Sequence, residues 1–318
     1  MTGQPQPPYD VLTMGRVGVD LYPLQSGVPL AEVRTFAKSL GGTATNVAVG
    51  AARYGHRAAV ITKVGDDGFG VYVRTALREF GVDDRYVGTD PAFRTPVVFT
   101  ELFPPDSFPL LFYREPKAPD MNLAPDELDH PAIEAARIFW TTGTGLSDEP
   151  SRSATLGALE IRKRRGITVH DLDFRPMFWR STQEAGEYQR LALEHATVAV
   201  GNREEAAVAV GDGEPEDQAG RLLDLGLDLA VVKLGPDGVL VAWAEGMERV
   251  PPVPVEVVNG LGAGDAFGAG LCHGLLSGWE MVRTIRFANA AGAYVAARLA
   301  CADAMPDEDQ VRALLFDG

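Results

Sequence analysis

Asn259-Gly260-Leu261-Gly262-Ala263-Gly264-Asp265-Ala266-Phe267 is the stretch on which the reading of this 318-residue chain turns. It runs on into Gly268-Ala269-Gly270-Leu271-Cys272-His273-Gly274-Leu275-Leu276, an apolar segment that reads as helix. Small residues at Gly262, Ala263 and Gly264 leave the N–H groups of a first helical turn uncovered. Those groups and the helix dipole suit an anion such as a phosphate in transfer. Asp265 falls in the same turn, where a carboxylate can take a proton from an attacking hydroxyl. The residues also fit a plainer role, as glycines for close helix packing and an aspartate that opens a helix. The segment has neither the Gly-Lys-Ser/Thr of a Walker loop nor the spacing of a dinucleotide fingerprint.

Working outward, strand and helix signals alternate. Strands are predicted at Val11–Gly15, Ala58–Val64, Arg137–Thr141, Ile167–Asp171, Thr197–Val200 and Leu229–Lys233. Helical periodicity covers Thr45–Tyr54, Gly70–Phe80 and Ser151–Arg165, and an Ala-rich helix is expected at Phe287–Leu299. The alternation predicts an α/β fold with a parallel sheet covered on both faces. Two stretches break the rhythm: Leu21–Ser39, which lacks a helical period, and the β-rich pair Thr95–Glu101 and Leu110–Arg114 around the Pro-containing Phe103–Pro109. They are expected to form one accessory sheet, whose exposed face and edge would be covered by substrate or by a second subunit. No long linker divides the chain. A single domain over residues 9–318 follows, with lid segments at about 20–38 and 95–114 and a disordered tail at 1–8.

The formal charge of −15 and the sequence pI of about 4.8 speak against a nucleic-acid surface. Local Arg and Lys residues can still hold an anionic substrate. Two cysteines, Cys272 and Cys301, are too few for a disulfide framework and read as buried free thiols in helical stretches. None of the five histidines has metal-ligand spacing to another His or Cys. With neither a signal peptide nor a membrane-length apolar run in sight, a cytoplasmic enzyme is the expectation.

Gly41-Gly42-Thr43-Ala44-Thr45-Asn46 leads into an Ala-rich helix, then Gly55 and Val64-Gly65-Asp66-Asp67-Gly68-Phe69-Gly70. This pattern and the Gly262–Asp265 segment, in this order, resemble the two signatures of the ribokinase/PfkB family of carbohydrate kinases. The resemblance runs from Asp10 to about Leu315. It implies a ribokinase-like three-layer α/β/α sandwich with a mostly parallel central sheet and a small β-sheet lid. It also implies a chemistry: ATP-dependent phosphorylation of a sugar hydroxyl with Mg2+, Asp265 as base, and Gly262, Ala263 and Gly264 around the phosphate.

Asp20, at the end of the first strand, and Gly41, Gly42 and Asn46 match residues that approach the sugar. Glycine admits a close backbone, and Asn offers both donor and acceptor. Asn202-Arg203-Glu204-Glu205 resembles a motif that organises magnesium and phosphate largely through water, with Asn202 and Glu205 as the residues concerned. Its plainer reading is a surface helix start. Lys233-Leu234-Gly235-Pro236-Asp237-Gly238 resembles the nucleotide loop, implying ATP contacts from Lys233, Gly235 and Gly238, and Asn289 resembles a residue at the adenine pocket.

Asp171-Leu172-Asp173-Phe174-Arg175 resembles the Asp-x-Asn-x-Arg of the family's 2-keto-3-deoxygluconate kinases, where the Arg helps hold an anionic substrate. Arg175, and Arg114 from the accessory sheet, are therefore candidate carboxylate clamps; a solvated surface Arg is the alternative for each. Gly15-Arg16, Thr35-Phe36-Ala37-Lys38, Tyr113-Arg114 and Ala304-Met305-Pro306 are more similar still to the kinases of 5-dehydro-2-deoxygluconate in myo-inositol catabolism. A neutral-sugar or nucleoside kinase, and a non-catalytic sugar sensor, are the competing readings. Members that use a monovalent cation often carry Asp-Thr ahead of Gly-Ala-Gly-Asp. Asn259-Gly260 stands there instead, which puts such a cation in doubt. A homodimer paired through the lid sheet is also expected.

Overall fold

The computed structural model describes residues 8–316. Its main sheet runs in the order Gly246–Val250, Val239–Trp243, Leu229–Lys233, Val198–Asn202, Ile167–Asp171, Ile138–Thr142, Val11–Met14, Ala58–Gly65 and Val82–Asp83. Val87–Asp90 pairs with Ala58–Gly65 as well. Every pairing from Leu229–Lys233 to Val82–Asp83 is parallel, and the two strands beyond Leu229–Lys233 are antiparallel.

Side chains of these strands alternate between two buried faces, as the two-residue period of a strand requires. Val11, Val60, Ile138, Trp140, Val198, Val200, Val231 and Val241 join one core, packed under the helices Thr43–Arg53, Ala263–Leu276 and Met281–Ala296. Leu12, Met14, Ala59, Ile61 and Phe139 meet Ser151–Arg162 and Thr182–Leu193 on the other face. Ala199, Ala230, Val232 and Leu240 meet Arg203–Val210 and Pro215–Asp224 there. Both faces being covered explains the near-continuous apolar runs of the strands. A Cβ added at Gly268 would stand 2.7 Å from the Trp140 ring, so part of the glycine content after Asp265 does serve close packing.

The accessory sheet is present, with strands ordered Phe36–Gly41, Gly18–Pro23, Val97–Thr100 and Leu110–Tyr113. It starts two residues earlier and reaches three residues further than the 20–38 segment expected from sequence. Asp20 therefore lies in the second strand of the chain, inside the lid, and not at the end of the first. The chain turns out of the core at Gly15–Val17, where two pleated runs are separated by only three residues. Asp120 fastens the lid at both ends: its Oδ2 accepts from the Val17 N–H at 2.9 Å, and its Oδ1 pairs with Arg114.

Other boundaries also shift. The helix expected over Ser151–Arg165 ends at Arg162, because Lys163 and Arg164 turn left-handed at φ 52° and 56°. The Ala-rich helix covers Met281–Ala296. Cys301 lies beyond it, in an irregular segment rather than a helix, and both thiols are free and buried. The expected tail at 1–8 falls outside the described residues apart from Pro8. Among the described residues no helix is long and apolar enough to cross a membrane.

Candidate active site

The carboxyl ends of the parallel strands, where open α/β sheets bind ligands, face the lid across a cleft of about 950 Å³. All of the predicted site residues except Gly41 line it. Gly41 borders the cleft indirectly: a Cβ there would lie 2.2 Å from a carboxylate oxygen of Asp20, so glycine at this position gives the Asp20 side chain its room. Gly42 caps the following helix at φ 102°, with a would-be Cβ 2.4 Å from the Arg16 carbonyl.

At the centre, Gly262 caps the helix Ala263–Leu276 in the left-handed region, at φ 80°. The N–H groups of Ala263, Gly264 and Asp265 have no carbonyl four residues back within that helix, and all three residues line the cleft. Asn46 Nδ2 donates to Asp265 Oδ2 at 2.7 Å. Burial pushes the Asp265 carboxyl up to about 7; Asp173 adds to the rise, and the Asn46 bond, Lys233 and Arg175 oppose it. Asn46 Oδ1 is buried without a hydrogen-bond partner among the described residues, leaving an open acceptor beside Asp265.

Lys233, at the end of its strand, reaches the same helix start: a Cβ at Gly264 would be 3.2 Å from its Nζ. Burial works against the Lys233 ammonium, but Asp171, Glu205, Asp265 and Asp173 outweigh it and hold the group above the ordinary lysine range. The loop behind it turns at Gly235 (φ 59°) and Gly238 (φ 88°). Asn289 Nδ2 donates to the Pro251 carbonyl at 3.0 Å on the cleft's far wall.

Asn202 and Glu205 form a capping box: Asn202 Oδ1 accepts from the Glu205 N–H at 2.8 Å, and Glu205 Oε2 from the Asn202 N–H at 2.7 Å. The plain helix-start reading is therefore part of the truth, and the box aims a buried Glu205 at the cleft. Exposed Glu204 takes no part. No group of three or more His, Cys, Asp or Glu among the described residues is arranged to hold a metal directly. The carboxylates of Asp171 and Glu205 beside Lys233 instead fit a divalent ion that arrives with phosphate oxygens and keeps most of its water.

Three residues that the motifs left unassigned belong to the cleft. Asp173 is a hub: its Oδ2 accepts from Thr144 Oγ1 at 2.8 Å, Thr43 Oγ1 at 3.2 Å and Arg16 Nη2 at 3.3 Å, and its Oδ1 pairs with Arg175 at 3.1 Å. Burial opposes its ionisation, yet Arg175, Arg16 and the Thr144 bond pull its carboxyl well below the usual range. Asp171, two residues away, is pushed up by burial. Arg16, the third, sits where the first core strand gives way to the lid. A strand-end pair of carboxylates was the signal available for Asp171 and Asp173. Gly15-Arg16 is part of the resemblance to the sugar-acid kinases, but it gives Arg16 no role, because its partners Thr144 and Asp173 are far off in sequence.

Residues 9–308 match the pfkB family of carbohydrate kinases. The chain belongs to that family. Relatives of this pfkB-family chain include the 5-dehydro-2-deoxygluconokinase of Geobacillus thermodenitrificans, 35% identical over 313 residues, covering 96% of this chain and 93% of the relative. That of Photobacterium profundum is 35% identical over 318 residues, covering 98% and 94%. Among solved structures, a putative ribokinase II from E. coli, in complex with ATP and Mg2+, superposes with a TM-score of 0.89 at 22% identity, covering 98% of this chain and all of the other. The ribokinase-like fold inferred from the two glycine-rich signatures is thereby established.

Proposed function

We propose that this carbohydrate kinase transfers the γ-phosphoryl group of ATP to the terminal hydroxyl of a sugar acid, with 5-dehydro-2-deoxygluconate as the substrate. The observation that carries the proposal is the convergence in one cleft of Asp265, at a glycine-capped helix start, with three guanidinium groups, Arg16, Arg114 and Arg175. The relatives named for that acid support the choice of substrate.

In this reading Asp265 Oδ1 accepts the hydroxyl proton while Asn46 holds Oδ2. The hydroxyl oxygen forms a bond to the γ-phosphorus, the bond from that phosphorus to the bridging oxygen breaks, and the electron pair leaves with ADP. The N–H groups of Ala263, Gly264 and Asp265, with Lys233, stabilise the charge that builds on the transferring group. Mg2+ would neutralise the ATP phosphates, held near Asp171 and Glu205 through water. Asp20 is the contact for sugar hydroxyls. Burial raises its carboxyl to about 6, against the Tyr22 hydroxyl bond at 3.0 Å and the charge of Arg16. Asn259 already spends its amide between two loops, donating to the Leu299 carbonyl at 2.6 Å and accepting from the Leu261 N–H at 3.0 Å. No monovalent cation is part of the proposal. A homodimer paired through the lid is: Leu111 and Tyr113 are 47% and 61% exposed on the lid's last strand, and Phe36, Phe99 and Tyr113 form a chain of edge-on ring contacts.

A coupled assay of ADP formation tests the substrate. The expectation is a kcat/KM at least about 100-fold higher for 5-dehydro-2-deoxygluconate than for fructose, ribose or a nucleoside. Preference for a neutral sugar would reject the acid and keep the kinase. Tight sugar binding without ADP formation would favour a sensor.

A further inference from the structure

We infer that Arg16 is the specificity residue of this cleft: with Arg114 it holds the substrate carboxylate, while Arg175 serves the phosphoryl end. The inference rests on the sugar-acid reading above and goes beyond it, since no motif or relative assigns Arg16 a role.

The three guanidiniums differ in the charges around them. Arg175 is held among carboxylates: it forms ion pairs with Asp173 at 3.1 Å and Glu205 at 3.6 Å, and its Nη1 donates to the Phe174 carbonyl at 3.1 Å. Three of the negative charges acting on it, those of Glu205, Asp265 and Asp171, belong to the phosphoryl-transfer end, while Asp173 lies between Arg175 and Arg16. Arg16 is 6% exposed and lines the cleft. Its Nε donates to Thr144 Oγ1 at 2.9 Å and its Nη2 to Asp173, while its Nη1 bonds to nothing among the described residues. Arg114 bonds Asp120 through Nη2 alone, leaving Nε and Nη1 unspent among the described residues. The free nitrogens of neither group are among the fully buried unpaired atoms, so they stay reachable from the cleft, and a guanidinium offers its remaining donors in a fixed plane suited to a carboxylate.

The two cations also share surroundings. Their Cζ atoms lie 5.4 Å and 5.6 Å from the centre of the same Phe178 ring, and Arg16 lies 5.9 Å from that of Phe112. Burial lowers the pKa of Arg114, and the positive charge of Arg16 lowers it further, against the pull of Asp120. In the absence of an anion, then, two guanidiniums repel each other beside apolar rings. A carboxylate between them converts that repulsion into two charge-assisted contacts in a region of low dielectric. The carboxylate of a six-carbon acid phosphorylated at its far end belongs at the end of the cleft away from Asp265. Neither arginine hydrogen-bonds to Asp265 or Glu205 among the described residues, so both are available for that end.

The test is steady-state kinetics of Arg16→Gln, Arg16→Lys and Arg175→Gln with 5-dehydro-2-deoxygluconate, with fructose and with ATP as the varied substrate. Arg16→Gln is expected to raise the KM for the acid by about 10- to 100-fold, the range for a lost charge-assisted contact. Fructose kcat/KM should fall at least about tenfold less than acid kcat/KM, and the KM for ATP should move less than the KM for the acid. Arg16→Lys, which keeps the charge and the Asp173 neighbour, should recover part of the loss. Arg175→Gln should instead lower kcat. An acid KM within about twofold of wild type in Arg16→Gln overturns the assignment, as does an equal loss for acid and fructose, the mark of a merely structural residue. The wild-type enzyme is scored separately: if it turns over no sugar acid, the substrate reading itself is wrong, whatever the variants do.

Discussion

Asp265 owes its proposed basicity to burial at the start of a helix, and two measurements follow from that one residue. Asp265→Asn keeps the Asn46 contact sterically but cannot take a proton, so kcat should fall by about 100- to 10,000-fold with the fold intact. A base must be deprotonated to work, and burial sets this one at about 7. Log kcat/KM should therefore rise with slope one up to about pH 7 and then level, which a pH series of initial rates will show. Asp265 was legible in the sequence because its glycines surround it in the chain. Arg16 was visible only as part of the Gly15-Arg16 resemblance, without a role, because Thr144 and Asp173 are brought against it from 128 and 157 residues away. Arg175 was legible as a cleft residue, but its engagement with Glu205 depends on the separate capping box at the start of Arg203–Val210, which only the fold brings near.

Among the elements, the core strands could be read from the sequence because each is a short apolar run, and all but the first adjoin a segment of helical periodicity. The antiparallel pair Val239–Trp243 and Gly246–Val250 went unread, although a Gly-Pro-Asp-Gly turn ahead of Val-Leu-Val-Ala-Trp was signal enough. The lid's extent was blurred for a physical reason. Its strands carry cleft residues such as Asp20 on one face and aromatic residues such as Phe99 on the other, so no uniform apolar run marks them. The pairing of Phe36–Gly41 with Gly18–Pro23 gives a sharp prediction. Gly41→Ala places a methyl group within 2.2–2.4 Å of all three atoms of the Asp20 carboxyl group, which must swing away. The expected result is a KM for the sugar substrate raised about tenfold or more, with the KM for ATP nearly unchanged, measured by varying each substrate in turn.

For the whole molecule, buried carboxyls set the response to pH. Asp20 and Asp265 are raised to about 6 and about 7 from the ordinary 3.8, and Asp171 is raised too. Below about pH 4 folded and unfolded chains both hold these protons. Between about 4 and 7 the folded chain holds more of them, so stability declines as pH rises through that window. Asp173, shifted downward, acts in the opposite sense on the acid side of 4, and His170, lowered to about 4 by burial, with His56 and His273, also lowered, act in the opposite sense up to about 6.5; the three raised carboxyls outweigh them and extend to higher pH. Thermal unfolding of the unliganded protein should give a lower Tm at pH 8 than at pH 5.5, and Asp265→Asn should shrink the difference. Assembly is tested at the same scale: Tyr113→Asp on the exposed lid face should turn a dimer into a monomer by analytical ultracentrifugation, and an unchanged sedimentation coefficient would reject the lid as the interface.

The main sheet ends, on one side, in Gly246–Val250, where four of five residues are exposed and Arg249 pairs with Glu216 at 2.7 Å. On the other it ends in two short strands, Val82–Asp83 and Val87–Asp90, each paired with a different part of Ala58–Gly65. Charge on one margin and brevity on the other make both poor templates for an incoming chain. A large, apolar, mostly parallel sheet is thus shielded from fibril growth at its margins, and the protein should tolerate high concentration without stacking strand on strand.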